Sequence, residues 1–134
     1  MCPENEFFVS CAKICRGNTY PSTISVLTKA IIKLGKIEMA GKVYRAPGGA
    51  LPTSFWKRDA QGVMGGLEAA FMSTTTAKTE ALHYASRATA KVLFEIRQGI
   101  VARGASISWL SQYPAEQEIL ASAKGFKPQP LPLV

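Results

Sequence analysis

Three short stretches of this chain carry side chains suited to binding charge or moving protons. The first is Val43-Tyr44-Arg45-Ala46. If residues 42–46 are extended, Val43 and Arg45 share one face, and Tyr44 and Ala46 the other. An arginine beside an inward valine needs an anionic partner. Its planar guanidinium suits a phosphate, which it grips with two parallel hydrogen bonds. On an edge strand the same arginine would simply face water. The second stretch is Phe71-Met72-Ser73-Thr74-Thr75-Thr76. Alternation puts Ser73 and Thr75 on one face and Thr74 on the other. Thr76 can cap a following helix, a role that makes no demand on Ser73. The third is Glu116-Gln117-Glu118. Extended, it projects both carboxylates to one side, about 6–7 Å apart. Like charges so placed repel, so the pair is either solvated or held there for a purpose.

The elements that must position these residues follow from periodicity. Ile24, Leu27, Ile31 and Leu34 recur at helical spacing between Pro21 and Met39, with Lys29, Lys33 and Lys36 on the other side. Pro21 suits a first turn and Gly41 a stop. The lysine face reads most simply as solvated. Lys42–Ala46 reads as a strand, closed by Pro47-Gly48-Gly49. Residues 50–66 read as loop around an inward pair, Phe55-Trp56. Phe71–Thr75 is a second strand. Thr76 then caps a helix running to about Ala90, with Glu80 in its first turn. Val92, Phe94 and Ile96 alternate on one face of a third strand, and Ile100–Trp109 reads as a fourth. Ser111–Ala115 is loop, and Glu116–Leu120 is extended. This order predicts an α+β fold with a mixed or antiparallel sheet. It sits in one domain over residues 1–134, with an irregular start at 1–20 and a proline-rich tail at 125–134.

Composition narrows the classes. The 134 residues include 16 Lys+Arg against 9 Asp+Glu, a net charge of +7. That balance favours an anionic partner or simple solubility. No zinc-finger, helix-turn-helix or aromatic RNA-binding signature accompanies it, so the reading is against nucleic acid. His83 is the only histidine, which excludes His-x3-His zinc catalysis. Cys2, Cys11 and Cys15 lie together without zinc-knuckle spacing. They read as reduced thiols, mildly favouring a reducing compartment. The expectation is no metal. No secretory signal or membrane span is read from the sequence, so the cytoplasm, or delivery to it, is the expected location.

Taken in order, these stretches resemble the arginine-type mono-ADP-ribosyltransferases: a strand-borne Arg, then Ser-Thr-Thr before a helix, then Glu-x-Glu after an aromatic loop. The resemblance covers about residues 42–120. It rests on Val43-Tyr44-Arg45-Ala46, Phe71-Met72-Ser73-Thr74-Thr75 and Tyr113-Pro114-Ala115-Glu116-Gln117-Glu118-Ile119-Leu120. Residues 104–111 are similar to the family's strand leading into that loop. Ala46 stands where the family often has Gly, and Ala121–Val134 ends in prolines where the family continues with strands.

The resemblance implies a split sandwich of two small sheets around a cleft that holds NAD as co-substrate. Arg45 would contact the NAD phosphate and ribose. Ser73 would brace that site and the catalytic glutamate, with Thr74 beside it. Glu118 would be the catalytic glutamate at the nicotinamide ribose, and Glu116 the one that activates an acceptor arginine. Tyr113 and Gln117 would lie in the loop that recognises the protein substrate. The implied function is transfer of ADP-ribose from NAD to protein arginine, with nicotinamide released. NAD glycohydrolysis, or a non-catalytic module of the same fold, is the alternative. The chemistry suits the residues. Cleaving the nicotinamide–ribose bond gathers positive charge on the sugar, which a fixed carboxylate stabilises. Nicotinamide leaves neutral, so no general acid is required. A guanidinium is a poor nucleophile while charged, and a second carboxylate can take its proton as the new bond forms.

Overall fold

The computed structural model describes residues 17–68, 70–99, 103–122 and 124–126. They form an α+β fold. Helix α1 spans Pro21–Gly35 and helix α2 Lys78–Arg87. The strands are β1 (Lys42–Arg45), β2 (Gly66–Glu68), β3 (Met72–Thr75), β4 (Phe94–Arg97), β5 (Ala105–Ser106), β6 (Glu118–Ala121) and β7 (Lys124–Phe126). Single 3-10 turns lie at Thr53–Trp56 and Pro114–Glu116. Five strands make one antiparallel sheet in the order β4-β1-β3-β6-β5, and β2 pairs with β7 in a second, two-stranded sheet.

The register separates the two faces of the larger sheet. Thr75 lies opposite both Tyr44 and Glu118, and Ser73 opposite Leu120. Tyr44, Ser73, Thr75 and Glu118 therefore share a face. The other face carries Val43, Met72, Thr74, Ile119 and Ala121, all buried. Met72, at 1 % exposure, is its most enclosed large side chain. Thr74 is the one polar side chain buried there among the described residues, and its hydroxyl donates to the Ile119 carbonyl at 2.7 Å. Paired in this way it avoids the penalty of an unsatisfied buried hydroxyl. Beyond this face Phe55 packs 6.0 Å from Phe94, centroid to centroid. Gly66 passes beneath the Phe55 ring, where a Cβ would come within 3.2 Å. Trp56, expected inward beside Phe55, is instead 57 % exposed: its ring meets the buried Phe55 ring edge to face at 5.1 Å, on the solvent side of it.

Helix α1 stops at Gly35, earlier than the expected Met39. Glu38 draws the chain toward β5: its carboxylate accepts from the Ser106 N–H and its carbonyl from Arg103. Only the C-terminal end of the apolar stripe is covered. Ile31 is buried and Leu34 half-buried, but Ile24 and Leu27 are exposed. A 15-residue helix is about 22 Å long, and a two-residue strand covers about 7 Å of it. The close approach is at Gly35, where a Cβ would stand 2.9 Å from the Arg103 carbonyl oxygen.

Other boundaries also differ from expectation. Helix α2 begins at Lys78 and ends at Arg87, not Ala90, and Thr76 does not cap it. Thr75 Oγ1 instead accepts from the Ala77 N–H at 3.1 Å, and the Thr76 hydroxyl is spent on Gln117. Of the strand expected over 100–109, residues 100–102 lie outside the described residues; among the rest, Ala105–Ser106 pairs in the sheet and Ile107–Leu110 closes a turn through Leu110 N–H to the Ile107 carbonyl. Residues 125 and 126, expected in a tail, pair with Leu67 and Gly66. The expected irregular start lies outside the described residues as far as 16, and the proline-rich tail does so from 127. Among the described residues no helix is long and apolar enough to cross a membrane.

Candidate active site

The face that carries Ser73 and Glu118 is crossed by α2, which buries Ala81 and Ala85. Beside that contact lies a cleft of about 270 Å³. Its walls include Arg45, Ser73, Glu80, Tyr84, Glu116 and Glu118.

Glu118 opens strand β6, and its carboxylate is held at both oxygens. The Ser73 hydroxyl donates to Oε1 at 2.6 Å, and the Ser111 hydroxyl donates to Oε2 at 3.0 Å. At 2.6 Å the Ser73 bond has the length of the strong, charge-assisted class, and the Ser111 bond is the longer of the two. Ser111 is itself fixed, because its oxygen accepts from the Tyr113 N–H at 3.1 Å. Two donors from different segments leave the carboxylate little rotational freedom, which is the condition for preorganised charge stabilisation.

Glu116 reaches the same cleft by a different route from the one its spacing suggests. Residues 116–118 are not continuously extended. Glu116 closes a 3-10 turn, and Gln117 takes the left-handed conformation at φ 47° before β6 begins. This backbone costs a non-glycine residue about 1–2 kcal/mol. Contacts with the β3–α2 junction hold it. Thr75 Oγ1 donates to the Glu116 carbonyl at 2.7 Å, and Thr76 Oγ1 donates to Gln117 Oε1 at 2.7 Å. The Glu116 carboxylate accepts from the Tyr84 hydroxyl at 2.6 Å. That bond and the adjacent negative charge push the Tyr84 phenol above its ordinary pKa. The hydroxyl run thus acts twice: Ser73 grips one glutamate's side chain, while Thr75 and Thr76 secure the turn that presents the other.

Arg45 stands at the edge of the cleft, partly exposed. Nη1 donates to the Ser73 carbonyl at 2.9 Å, which ties β1 to the residue that holds Glu118. Nη2 lies 3.7 Å from Glu68 Oε2 on β2, a loose pairing. A guanidinium has five N–H donors, so these contacts leave capacity for an anion. On the neighbouring residue of β1, the Tyr44 ring centroid lies 6.0 Å from the Lys78 ammonium.

The remaining candidates sit less centrally. Thr74 borders the cleft, but its hydroxyl is buried on the opposite face against Ile119. Tyr113 and Gln117 are exposed on the segment between β5 and β6, outside the cleft walls. Three wall or support residues were missed by sequence reasoning: Ser111, Tyr84 and Glu80. Glu80 and Tyr84 share one helix face at i and i+4, so the helix after Thr76 already carried a signal for the last two. Nothing in the spacing of Ser111 marks it.

No family model, no curated protein and no solved structure matches this chain.

Proposed function

We propose that the chain is an NAD-dependent mono-ADP-ribosyltransferase that modifies arginine side chains. The observation that carries the reading is Glu118: a carboxylate clamped by Ser73 and Ser111 in a cleft that also presents Glu116 and Arg45. Its support is the juxtaposition of Arg45, Ser73 and Glu118, which lie 28 to 73 positions apart in the chain, all within the resemblance already described. The ADP-ribosyltransferase-like split sandwich belongs to the same proposal, and the pairing of β2 with β7 beside the five-stranded sheet is compatible with it.

The residues fit the co-substrate. About 270 Å³ falls just under the roughly 300–1,000 Å³ of small-molecule pockets, a size suited to one end of a dinucleotide. Arg45 would hold the pyrophosphate, exchanging its loose contact with Glu68 for a bidentate one. Ser73 and Glu118 would hold the nicotinamide ribose. Bound NAD supplies an activated C–N glycosidic bond, whose electron pair departs with neutral nicotinamide. Glu118 stabilises the positive charge that gathers on the sugar as that bond breaks. Glu116 accepts the proton that the acceptor guanidinium loses as its nitrogen bonds the ribose carbon. Both carboxylates work without a histidine or a metal.

The test is incubation with labelled NAD and an arginine mimic such as agmatine. ADP-ribosylated agmatine is the expected product. Free ADP-ribose alone would make the protein an NAD glycohydrolase, with water as acceptor. Absence of nicotinamide release would leave only a non-catalytic module.

A further inference from the structure

We infer that Tyr84 is a positioning residue for transfer to arginine, fixing the Glu116 carboxylate through its hydroxyl so that one carboxylate oxygen is held and the other is left for the incoming guanidinium. This inference rests on the transferase reading and assigns a role within it to a side chain on α2.

The observations are geometric. Tyr84 Oη lies 2.6 Å from Glu116 Oε1, which makes it the only hydrogen-bond donor to that carboxylate among the described residues. Glu118, by contrast, has both oxygens engaged. The two glutamates therefore differ in what they can still accept. Glu118 is held in place by a hydroxyl at each oxygen and suited to a fixed electrostatic role. Among the described residues no donor reaches the second oxygen of Glu116, as a group that must receive an N–H proton requires. Tyr84 is half-exposed, while its neighbours Ala81 and Ala85 anchor the helix in the sheet. The helix is thus held by residues other than Tyr84, and the phenol is available to orient Glu116. The charged and titratable groups around this pair are Glu80 on the same helix, Tyr113 and Glu118 on the segment that carries Glu116, and Arg45 on β1. Near so many carboxylates a freely moving Glu116 would swing toward water. The phenol keeps it in the cleft without adding a positive charge, which would repel the guanidinium.

In the step concerned, the guanidinium nitrogen forms the bond to the ribose carbon, the nicotinamide C–N electrons leave with nicotinamide, and the guanidinium proton passes to Glu116. Tyr84 keeps its own proton throughout.

The experiment compares wild type, Tyr84→Phe and Glu116→Gln in two assays on the same preparations: nicotinamide release from NAD without acceptor, and transfer to agmatine. Tyr84→Phe keeps the ring and removes only the hydroxyl. The ratio of transfer to hydrolysis should fall about tenfold, the scale of one hydrogen bond to a charged group. The loss should appear mainly as a raised KM for agmatine. Combining Tyr84→Phe with Glu116→Gln should add little to the loss caused by Glu116→Gln alone. If Tyr84→Phe lowers both reactions in equal proportion, or neither, or if its effect adds fully to that of Glu116→Gln, the inference is wrong while the transferase reading stands. If wild type neither releases nicotinamide nor modifies agmatine, the transferase reading fails and this inference with it.

Discussion

Ser73 reaches Glu118 diagonally: the hydroxyl lies 2.6 Å from Glu118 Oε1, although across the β3–β6 ladder Ser73 is paired with Leu120 and Glu118 with Thr75. Diagonal neighbours on one sheet face lie within reach of each other's side chains. The short serine can bridge because the longer glutamate side chain spans the two-residue offset between them. Ser73→Ala removes one of the two donors that fix the carboxylate. Nicotinamide release should fall by about 10- to 100-fold, as for loss of a hydrogen bond to a charged group, while the thermal midpoint stays within a few degrees, since Ser73 is exposed. A steady-state assay beside a melting curve separates the two. An unchanged kcat/KM would remove Ser73 from the site.

Arg45 is tied to the same unit through the Ser73 carbonyl, and its second nitrogen has only a loose partner in Glu68. Arg45→Ala should weaken NAD binding by at least about tenfold, the scale of a charge-assisted contact. Calorimetric titration with NAD measures this directly, and unchanged affinity would place the anion elsewhere. The surface pairing with Glu68 is of the kind that contributes little to stability.

The Tyr84 phenol is raised above its ordinary value of 10.0, first by its hydrogen bond to Glu116 and next by the carboxylate's charge. A group with a raised folded value keeps its stabilising contact at all pH below the unfolded value and loses it as pH rises through the folded one. The Tyr84–Glu116 bond should therefore be intact through neutral pH and break only above about 10. In an absorbance titration, Glu116→Gln should form phenolate at lower pH than wild type. Superimposable curves would show that the two side chains do not interact in solution.

Much of the element order was legible in the sequence. Helical spacing from Pro21, the alternation of Val92, Phe94 and Ile96, and the Ser-Thr-Thr strand before a helix each follow from local periodicity, and each has its counterpart in α1, β4 and β3 with α2. What was not legible depends on distant partners. Thr76 has the residue type of a cap, but Gln117, 41 positions away, takes its hydroxyl. Glu116-Gln117-Glu118 has the look of a strand, but the left-handed Gln117 splits it. The two carboxylates reach one cleft through that turn and not through alternation. Ser111 is legible only once the loop has folded back onto Glu118. The uncovered half of α1 was equally hidden, because periodicity reveals an apolar face and not the length of the strand it will meet.

Gly104 gives a test of how tightly β6 is held. A Cβ there would stand 2.6 Å from Ile119 Cγ2 and 2.9 Å from the Leu120 carbonyl oxygen. The carbonyl belongs to the backbone of the strand that carries Glu118, so relief requires that strand to move. Gly104→Ala should cost about 1–3 kcal/mol, the usual range for overpacking. That lowers the thermal midpoint by several degrees and also reduces nicotinamide release. Full stability with full turnover would mean the strand has room that the structure does not show.

The central claim is that Glu118 stabilises charge on the nicotinamide ribose, and Glu118→Gln tests it most directly. Glutamine is nearly isosteric and can still meet the Ser73 and Ser111 hydroxyls, but it lacks the negative charge. With labelled NAD and agmatine, nicotinamide release and agmatine modification should both fall by about 100- to 1,000-fold, the range for loss of one preorganised electrostatic group. NAD binding by calorimetry should change far less. Turnover equal to wild type in both assays would contradict the claim.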